Sequence, residues 1–296
     1  MQPKNFESRI QDLVYNVDVG IGLRLIKFGL YILSILALLT LYTASEFWGL
    51  KNVEAMDESQ IARQIADDGT FTTKFIRPAA VWLFEQYGTD PRTIMLKQPD
   101  IVNPPVYPWI LSRTFLLFGG SFSPAKIVRA FPPEQWAVVP LGHFCTLLTG
   151  LMLFLTARRF FERRIAVLAV SLYFLSDVVW ATSISGTSMA MATLFSSIVI
   201  YLSLLTSEQF LDQENKRQWM IPFFLTGFFC AITLLTRYSA GLITLTPMIM
   251  LSLLVPQKGW KLALSLLGIT LVFSIPWFIR NYMVCGHFFG LTPTLH

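Results

Sequence analysis

Charged residues are scarce in this sequence of 296 residues, since Asp, Glu, Lys and Arg together make up only 14% of it. Soluble domains average about 25%. Hydrophobic residues reach 54%, and the mean hydropathy is +0.55. Several apolar runs approach or reach the roughly 20 residues that cross a bilayer as a helix, whereas a membrane barrel needs alternating strands of about 10 residues. The composition therefore excludes a soluble globular protein and predicts an all-α polytopic membrane protein.

Cysteine and histidine are also rare, with three of each. Cys145, Cys230 and Cys285 have no paired spacing, so the sequence carries neither a disulfide framework nor a zinc motif. The scattered histidines argue against a histidine-based metal site. No cleavable signal pattern precedes the first apolar run, which is expected to act as an uncleaved anchor. The net charge of +5 does not indicate nucleic acid as a partner, because the basic residues cluster at the ends of apolar runs.

The long apolar runs predict about seven transmembrane helices. Arg24 and Lys27 precede the first run and place the N-terminus in the cytoplasm. The basic cluster at 157–164, after the second run, is also expected in the cytoplasm. The membrane is expected to be an inner or plasma membrane. The predicted organisation is a cytoplasmic amphipathic N-terminus at 1–27, a first transmembrane helix at 28–48, an outer loop at 49–135, a six-helix bundle at 136–279 and an outer stub at 280–296. The bundle helices are predicted at 136–156, 165–181, 188–206, 219–236, 238–255 and 262–279.

The stretch at 104–118 is apolar but is not predicted to cross the membrane. It is short, contains three prolines and includes Arg113. If it crossed, the basic cluster at 157–164 would lie on the outer side, against the positive-inside rule. We therefore expect a short helix that lies along the outer surface or dips in and returns.

The outer loop is the longest polar segment of the chain and carries an acidic pair, Asp57 and Glu58, soon after the first apolar run. The residues from Ser59 to Asp68 predict a helix that Gly69 closes, with Glu58 on its apolar face. Two interpretations stay open. Asp57 is either an N-cap, with Gln60 at the third position of a capping-box variant, or a carboxylate that faces a cleft and acts as a base.

Further along the outer loop, the sequence from Asp100 to Trp109 contains three prolines, which favour an extended turn. Asn103 and Tyr107 would place polar groups at the edge of the cleft. The alternative is a stiff connector without a binding role.

Two arginines lie on the side of the membrane that should be poor in basic residues. Arg237 falls in a turn of almost no length between two predicted helices, and Arg280 ends the last one. Arginine at membrane depth is costly, and its planar fork suits phosphate. The alternative is that both side chains extend to the outer lipid headgroups.

Four motifs in this order resemble the GT-C glycosyltransferases, and more narrowly the protein O-mannosyltransferase and lipid A aminoarabinose transferase group. They are the Asp57-Glu58 pair after the first span, the Pro-Pro-Val-Tyr-Pro stretch at 104–108, Leu-Leu-Thr-Arg-Tyr at 234–238 and Pro-Trp-Phe-Ile-Arg-Asn-Tyr at 276–282. The resemblance covers nearly the whole chain. It implies a membrane fold with a long, non-cytoplasmic first loop and an enzyme whose donor is a polyprenyl-phosphate sugar.

The same resemblance implies roles for individual residues. Asp57, with Glu58 beside it, would be the catalytic acid residue, either as a base or as the ligand of a divalent metal ion. Arg237 and Arg280 would hold the donor phosphate. The acceptor side of the cleft would use Asn103, Tyr107 and Gln60, where Asn103 stands at a position that often carries a charged residue or histidine in relatives.

The residues also bear on the reaction class. The sequence has no GxGxxG fingerprint and no Asp-x-Asp motif, which argues against a nucleotide-sugar enzyme of Rossmann type. For an inverting transfer, a carboxylate takes the acceptor proton while the phosphate leaves from the opposite face of the sugar. Two other classes stay open: a transporter or flippase of an anionic lipid, and a non-catalytic assembly subunit with the same fold. The resemblance implies that relatives continue beyond the seventh span, so three interpretations stay open: a truncated protein, a fragment, or a module that a partner chain completes. Membrane lipid is expected as a further partner.

Overall fold

The structure is a computed structural model that describes residues 21–86, 88, 98–117, 133–211, 218–255 and 259–290. Its elements are almost all helices, which confirms the all-α membrane fold class. Chain contacts divide it into two units, residues 1–46 and 47–296. The first unit contains helix α1, Ile21–Glu46, which is long and apolar enough to cross a membrane. Most of the predicted amphipathic N-terminus, residues 1–20, lies outside the described residues.

The second unit begins with short elements and continues as a helical bundle. The short elements are α2 (Val53–Asp68), β1 (Thr72–Thr73), α3 (Pro78–Gln86), β2 (Gln98–Pro99) and α4 (Val106–Leu117). The bundle contains α5 (Pro133–Phe160), α6 (Arg163–Leu175), α7 (Asp177–Ile184), α8 (Met189–Leu211), α9 (Met220–Thr236), a 3₁₀ helix (Tyr238–Thr244), α10 (Leu245–Leu254) and α11 (Gly259–Cys285). Strands β1 and β2 form a two-residue antiparallel ladder, with Thr72 opposite Pro99 and Thr73 opposite Gln98.

Length and composition identify four membrane-spanning candidates among the described helices. They are Leu25–Glu46, Ala137–Phe160, Met189–Leu211 and Gly259–Cys285. Helices α6 and α7 make a fifth if they are one span, bent by 58°. Helix α9 and the segment Tyr238–Leu254 are apolar but shorter and stand where the fifth and sixth spans are predicted. Seventeen helical residues rise about 26 Å against a hydrocarbon core of about 30 Å, so the number of about seven stays a prediction.

The packing attaches the short elements before α5 to the bundle. Helix α8 packs against α5, α9 and α10, and α9 packs against α11. Helix α2 packs on α4, and α4 packs on α5. One apolar core joins these layers, with Ala62 from α2, Leu111 and Phe115 from α4, Val138 from α5 and Met191 from α8. The core therefore fixes α2, which carries the acidic pair, against the bundle.

Helix α4 has 12 residues, which rise about 18 Å, too short to cross the membrane. This agrees with the prediction that the stretch at 104–118 does not span. The predicted cytoplasmic connections lie partly outside the described residues, since 212–217 and 256–258 are not described.

Several predicted helix boundaries differ from the structure, and two of them bear on the site residues. Helix α2 begins at Val53 rather than Ser59, and Asn52 precedes it as the N-cap residue. Asp57 therefore lies inside the helix, and the interpretation as an N-cap is wrong. Gly69 does close the helix, with φ of 67°. Helix α11 continues to Cys285, beyond the predicted end at 279, and Arg280, its first polar side chain after that point, bonds to the Asp100 segment.

Candidate active site

A cleft of about 750 Å³ lies where α2 meets four other segments of the second unit. Those segments are residues 75–79, 102–104 and 237–239 and the residue just before α8. Helix α2 contributes Glu54, Asp57 and Glu58, which share one face because side chains three and four positions apart are neighbours on a helix. The other segments contribute Arg77, Asn103, Ser188 and Arg237 among their polar side chains. Four of the seven sequence-predicted site residues thus line one cleft.

Asp57 is held by three side chains at the wall of this cleft. Its side chain is 4% exposed. Oδ1 accepts a hydrogen bond from Thr73 Oγ1 at 3.0 Å, and Oδ2 accepts one from Asn103 Nδ2 at 2.7 Å. Arg77 Nη2 donates to Oδ2 in an ion pair. These donors fix the orientation of the carboxylate.

Arg77 is a site residue that the sequence analysis missed. It lies just before α3, and its guanidinium bridges two carboxylates, those of Asp57 and Asp100. Nη1 donates to Asp100 Oδ1 at 2.7 Å. Burial raises the pKa of Asp100, and the charge of Arg77 opposes that rise. The sequence contained a signal for such a residue, because two acidic residues in an otherwise apolar protein require a cation as partner. It does not show which basic residue that partner is.

Glu58 has a different environment from Asp57, although the two are adjacent. It is 1% exposed, and its Oε2 accepts the backbone N–H of Ser188 at 3.0 Å. Burial raises the pKa of Glu58 to about 8, the nearby Glu54 adds to the rise, and Ser188 and Arg237 oppose it. The acid is therefore mainly protonated at neutral pH, which makes it less suited than Asp57 to accept a proton.

Arg237 brings a cation to the cleft from the turn after α9. Its backbone is extended, with φ of −155°, between α9 and the 3₁₀ helix. Its guanidinium pairs with Glu54, and Nη1 lies 3.4 Å from Ser188 Oγ. The side chains of Arg237 and Glu54 are 27% and 42% exposed. Such exposed pairs contribute only about 0–1 kcal/mol, so an anionic ligand can replace Glu54.

The connection between α7 and α8 contacts three of the sequence-predicted site residues. Tyr107 does not line the cleft; its hydroxyl donates to the carbonyl of Gly186 at 2.8 Å. Gly186 has φ of 74°, a left-handed conformation that side chains disfavour. Two residues later, Ser188 contacts both Glu58 and Arg237. Tyr107 thus positions the backbone that meets the cleft, a role that sequence spacing does not reveal.

Arg280 lies outside the cleft lining, in α11. It donates to the backbone carbonyl of Asp100 and to Asn281 Oδ1 at 3.0 Å. Its guanidinium lies 4.8 Å from the ring centroid of Trp277 and 5.5 Å from that of Phe71. Arg280 therefore supports the Asp100 segment from outside the cleft.

Gln60 also lies outside the cleft lining. Its Oε1 accepts the backbone N–H of Lys74 at 2.9 Å and lies 3.1 Å from Thr73 Oγ1, whose single hydroxyl hydrogen Gln60 and Asp57 share. Since Thr73 also donates to Asp57, Gln60 holds the loop that orients the carboxylate.

The carboxyl groups of the cleft do not fit a divalent metal ion as they are arranged. Among the residues that the structure describes, no three His, Cys, Asp or Glu side chains are grouped as metal ligands. Asp57 pairs with Arg77, and Glu54 pairs with Arg237. The guanidinium groups thus occupy the positions beside the carboxylates where a metal ion would bind.

An apolar groove of about 420 Å³ lies next to the cleft. Pro104 lines the cleft, and the next residue, Pro105, lines the groove. Its other lining residues are Phe71, Val106, Trp109, Ile110, Phe195, Ile232 and Trp277. A polar cleft with charged groups and a purely apolar groove therefore share one short wall.

Comparison with known proteins gives one match. Residues 102–279, more than half of the chain, match the family model described as dolichyl-phosphate-mannose-protein mannosyltransferase. The matched range includes Asn103, Ser188 and Arg237, whereas Asp57 and Arg77 precede it. No curated protein and no solved structure matches the chain significantly.

Proposed function

The chain belongs to the dolichyl-phosphate-mannose-protein mannosyltransferase family, and from this premise we propose that it moves a sugar from a polyprenyl-phosphate donor to an acceptor bound in the cleft. At the coarser level it is a membrane glycosyltransferase. One observation carries the finer proposal: Asp57 and Arg237 line the same cleft. A proton acceptor and a cation for phosphate thus face one cavity.

The donor side of the site is assigned to Arg237. Its pair with Glu54 is exposed and exchangeable, so a phosphate can take the place of the Glu54 carboxylate. The neighbouring apolar groove, with its wall at Pro105 and Trp109, suits the lipid part of the same donor. Arg280, which the sequence analysis also placed on the phosphate, supports the Asp100 segment instead.

Asp57 is assigned as the general base. In an inverting transfer, the acceptor oxygen attacks the anomeric carbon, its proton passes to Asp57, and the phosphate leaves from the opposite face of the sugar. Asn103 and Thr73 orient the carboxylate for this step. Arg237 stabilises the negative charge that develops on the leaving phosphate. Glu58 maintains the connection before α8 through Ser188.

The location of the cleft is proposed from the charge pattern. Arg24 and Lys27 lie in the first two turns of α1, and the cluster at 157–164 lies where α5 ends and α6 begins, so both favour a cleft on the non-cytoplasmic face of an inner or plasma membrane. The acceptor and any partner chain would then meet the cleft on that face.

A sugar-transfer assay with a matched pair of variants tests the function. Asp57→Asn should lower the transfer rate at least about 100-fold, the usual contribution of a general base. Asp67→Asn is the control, because it makes the same change on the same helix at an exposed position outside the cleft lining. Thermal unfolding in detergent shows whether each variant folds. Full transfer by folded Asp57→Asn protein would contradict the assignment.

A further inference from the structure

Arg77 joins the proposed base to a buried anchor. Its Nη2 donates to Asp57, and its Nη1 donates to Asp100 Oδ1 at 2.7 Å. The side chain of Arg77 is 15% exposed and lines the cleft, whereas the side chain of Asp100 is 0% exposed. One nitrogen of the guanidinium is thus fixed in the protein, and the other meets the base.

The anchor is rigid because backbone groups hold Asp100. Its Oδ2 accepts the N–H of Asn103 at 2.7 Å and that of Val102 at 3.3 Å. With Asp100 fixed, the guanidinium of Arg77 can turn its second nitrogen toward a new partner without leaving the wall of the cleft. The planar fork of arginine provides donors on separate nitrogens, which a lysine ammonium does not.

The described part of the cleft lining contains no unpaired guanidinium group. Among the residues described, its lining holds the carboxyl groups of Glu54, Asp57 and Glu58 and the guanidinium groups of Arg77 and Arg237. Each guanidinium already pairs with a carboxylate. A phosphate that enters must therefore displace a carboxylate from one of them or gain the cation when a carboxylate loses its charge.

We propose that Arg77 couples the two halves of the transfer: it pairs with Asp57 before the reaction and with the departing phosphate afterwards. This inference rests on the proposed function. The acceptor oxygen bonds to the anomeric carbon, and its proton goes to Asp57. The bond from that carbon to the phosphate oxygen breaks and leaves its electron pair on the phosphate. Asp57 loses one negative charge as the phosphate gains one, so Arg77 is released when the phosphate requires a cation.

Sugar-free polyprenyl phosphate, the product of the proposed reaction, tests this coupling without turnover. In Asp57→Asn, the amide keeps the shape of the side chain but not its charge, so Arg77 no longer pairs with a carboxylate there. Titration of the purified full-length Asp57→Asn protein in mild detergent should show that it binds polyprenyl phosphate about tenfold more tightly than the wild type does. The double variant Asp57→Asn/Arg77→Gln should lose this gain. If that protein does not fold, Arg77→Lys in the same background should keep only part of it.

Two results would overturn the coupling. One is equal affinity in the wild type and Asp57→Asn. The other is a full gain that persists in the double variants, since it would be a general effect of removing one negative charge.

Arg237→Ala separates this inference from the proposed function. If that variant binds polyprenyl phosphate more weakly but Asp57→Asn changes nothing, the donor site stands and the coupling fails. If the wild type binds polyprenyl phosphate no more tightly than phosphatidylglycerol, both the function and the coupling fail.

Discussion

Asp57 and Glu58 show how environment divides two adjacent carboxyl groups. Asp57 pairs with Arg77 and accepts two further side-chain hydrogen bonds. Glu58 is buried against the backbone of Ser188, and burial raises its pKa to about 8. Two acids with divergent environments can hold different roles in one site, here a base and a buried, mainly protonated structural group.

The raised pKa of Glu58 makes stability depend on pH. Between its ordinary pKa of 4.5 and about 8, Glu58 binds more protons in the folded protein than in the unfolded chain, so the stability that this group contributes is fully present below pH 4.5 and is lost as pH rises through 8. Glu54 and Arg237 are the charged groups that face Glu58. Glu58→Gln should leave the melting temperature almost unchanged at pH 5. At pH 9 the same substitution should raise the melting temperature by roughly 5–10 °C relative to the wild type at that pH.

Thermal unfolding in detergent at both pH values measures this difference. Glu85→Gln is the control, because it makes the same change at an exposed position of α3 and should show no pH-dependent gain. Equal melting temperatures of Glu58→Gln and the wild type at pH 9 would mean that Glu58 is not buried as a neutral acid.

At the scale of elements, the connection between α7 and α8 organises the cleft. Tyr107 from α4 binds its carbonyl at Gly186, and Glu58 from α2 binds its N–H at Ser188. Ser188 then lies 3.4 Å from the guanidinium of Arg237. Helices α2 and α4 and the turn after α9 thus meet this connection at Gly186 and Ser188, so a shift of the connection would move both carboxylate and cation.

Gly186→Ala should disturb this connection. The added Cβ would contact the side chain of Leu50 and lie 3.0 Å from Val138 Cγ1, and φ of 74° already disfavours a side chain. We expect a loss of roughly 1–3 kcal/mol in stability beyond the backbone strain. Gly69→Ala is the control, because it has φ of 67° but nothing within 4 Å of the added Cβ.

Melting temperature and transfer rate together measure the effect. Gly186→Ala should lower both, with transfer down by at least about tenfold because a small displacement of reacting groups is costly. Gly69→Ala should lower the melting temperature slightly and preserve transfer. Similar behaviour of the two variants would contradict the organising role of the connection.

At the scale of the molecule, the family match and the cleft overlap only in part. The match covers 102–279, whereas the proposed base lies in α2, before it. The cleft is formed when α2 packs on α4, which belongs to the matched part. The proposed transfer therefore requires both the bundle and the elements that precede it, because neither contains all of the cleft residues.

Topology is testable with single cysteines in a background that keeps the buried native cysteines. Asp67 and Glu162 are both exposed, on α2 and just before α6. A membrane-impermeant maleimide should label Asp67→Cys in intact cells and Glu162→Cys only after permeabilisation. Labelling of both from outside would contradict a cleft and a basic cluster on opposite faces.

The sequence by itself determined the membrane class, the helical fold and the likeness to the family, because continuous apolar runs and basic residues at their ends are local patterns. It also indicated Asp57, Asn103 and Arg237, which the structure brings to one cleft, since polar residues beside apolar runs are conspicuous. The sequence predicted the end of α11 too early. It also did not indicate which of Glu58 and Asp57 is better suited to act as a base.

Only the tertiary structure decided which cation meets which carboxylate. Arg77 pairs with Asp57 across 20 residues and Arg237 with Glu54 across 183, whereas Arg280 lies outside the cleft lining against the Asp100 carbonyl. These partnerships depend on how α2 packs on the bundle and not on any local pattern. Ion pairs of this kind are non-local, so their members can be read from a sequence only as candidates.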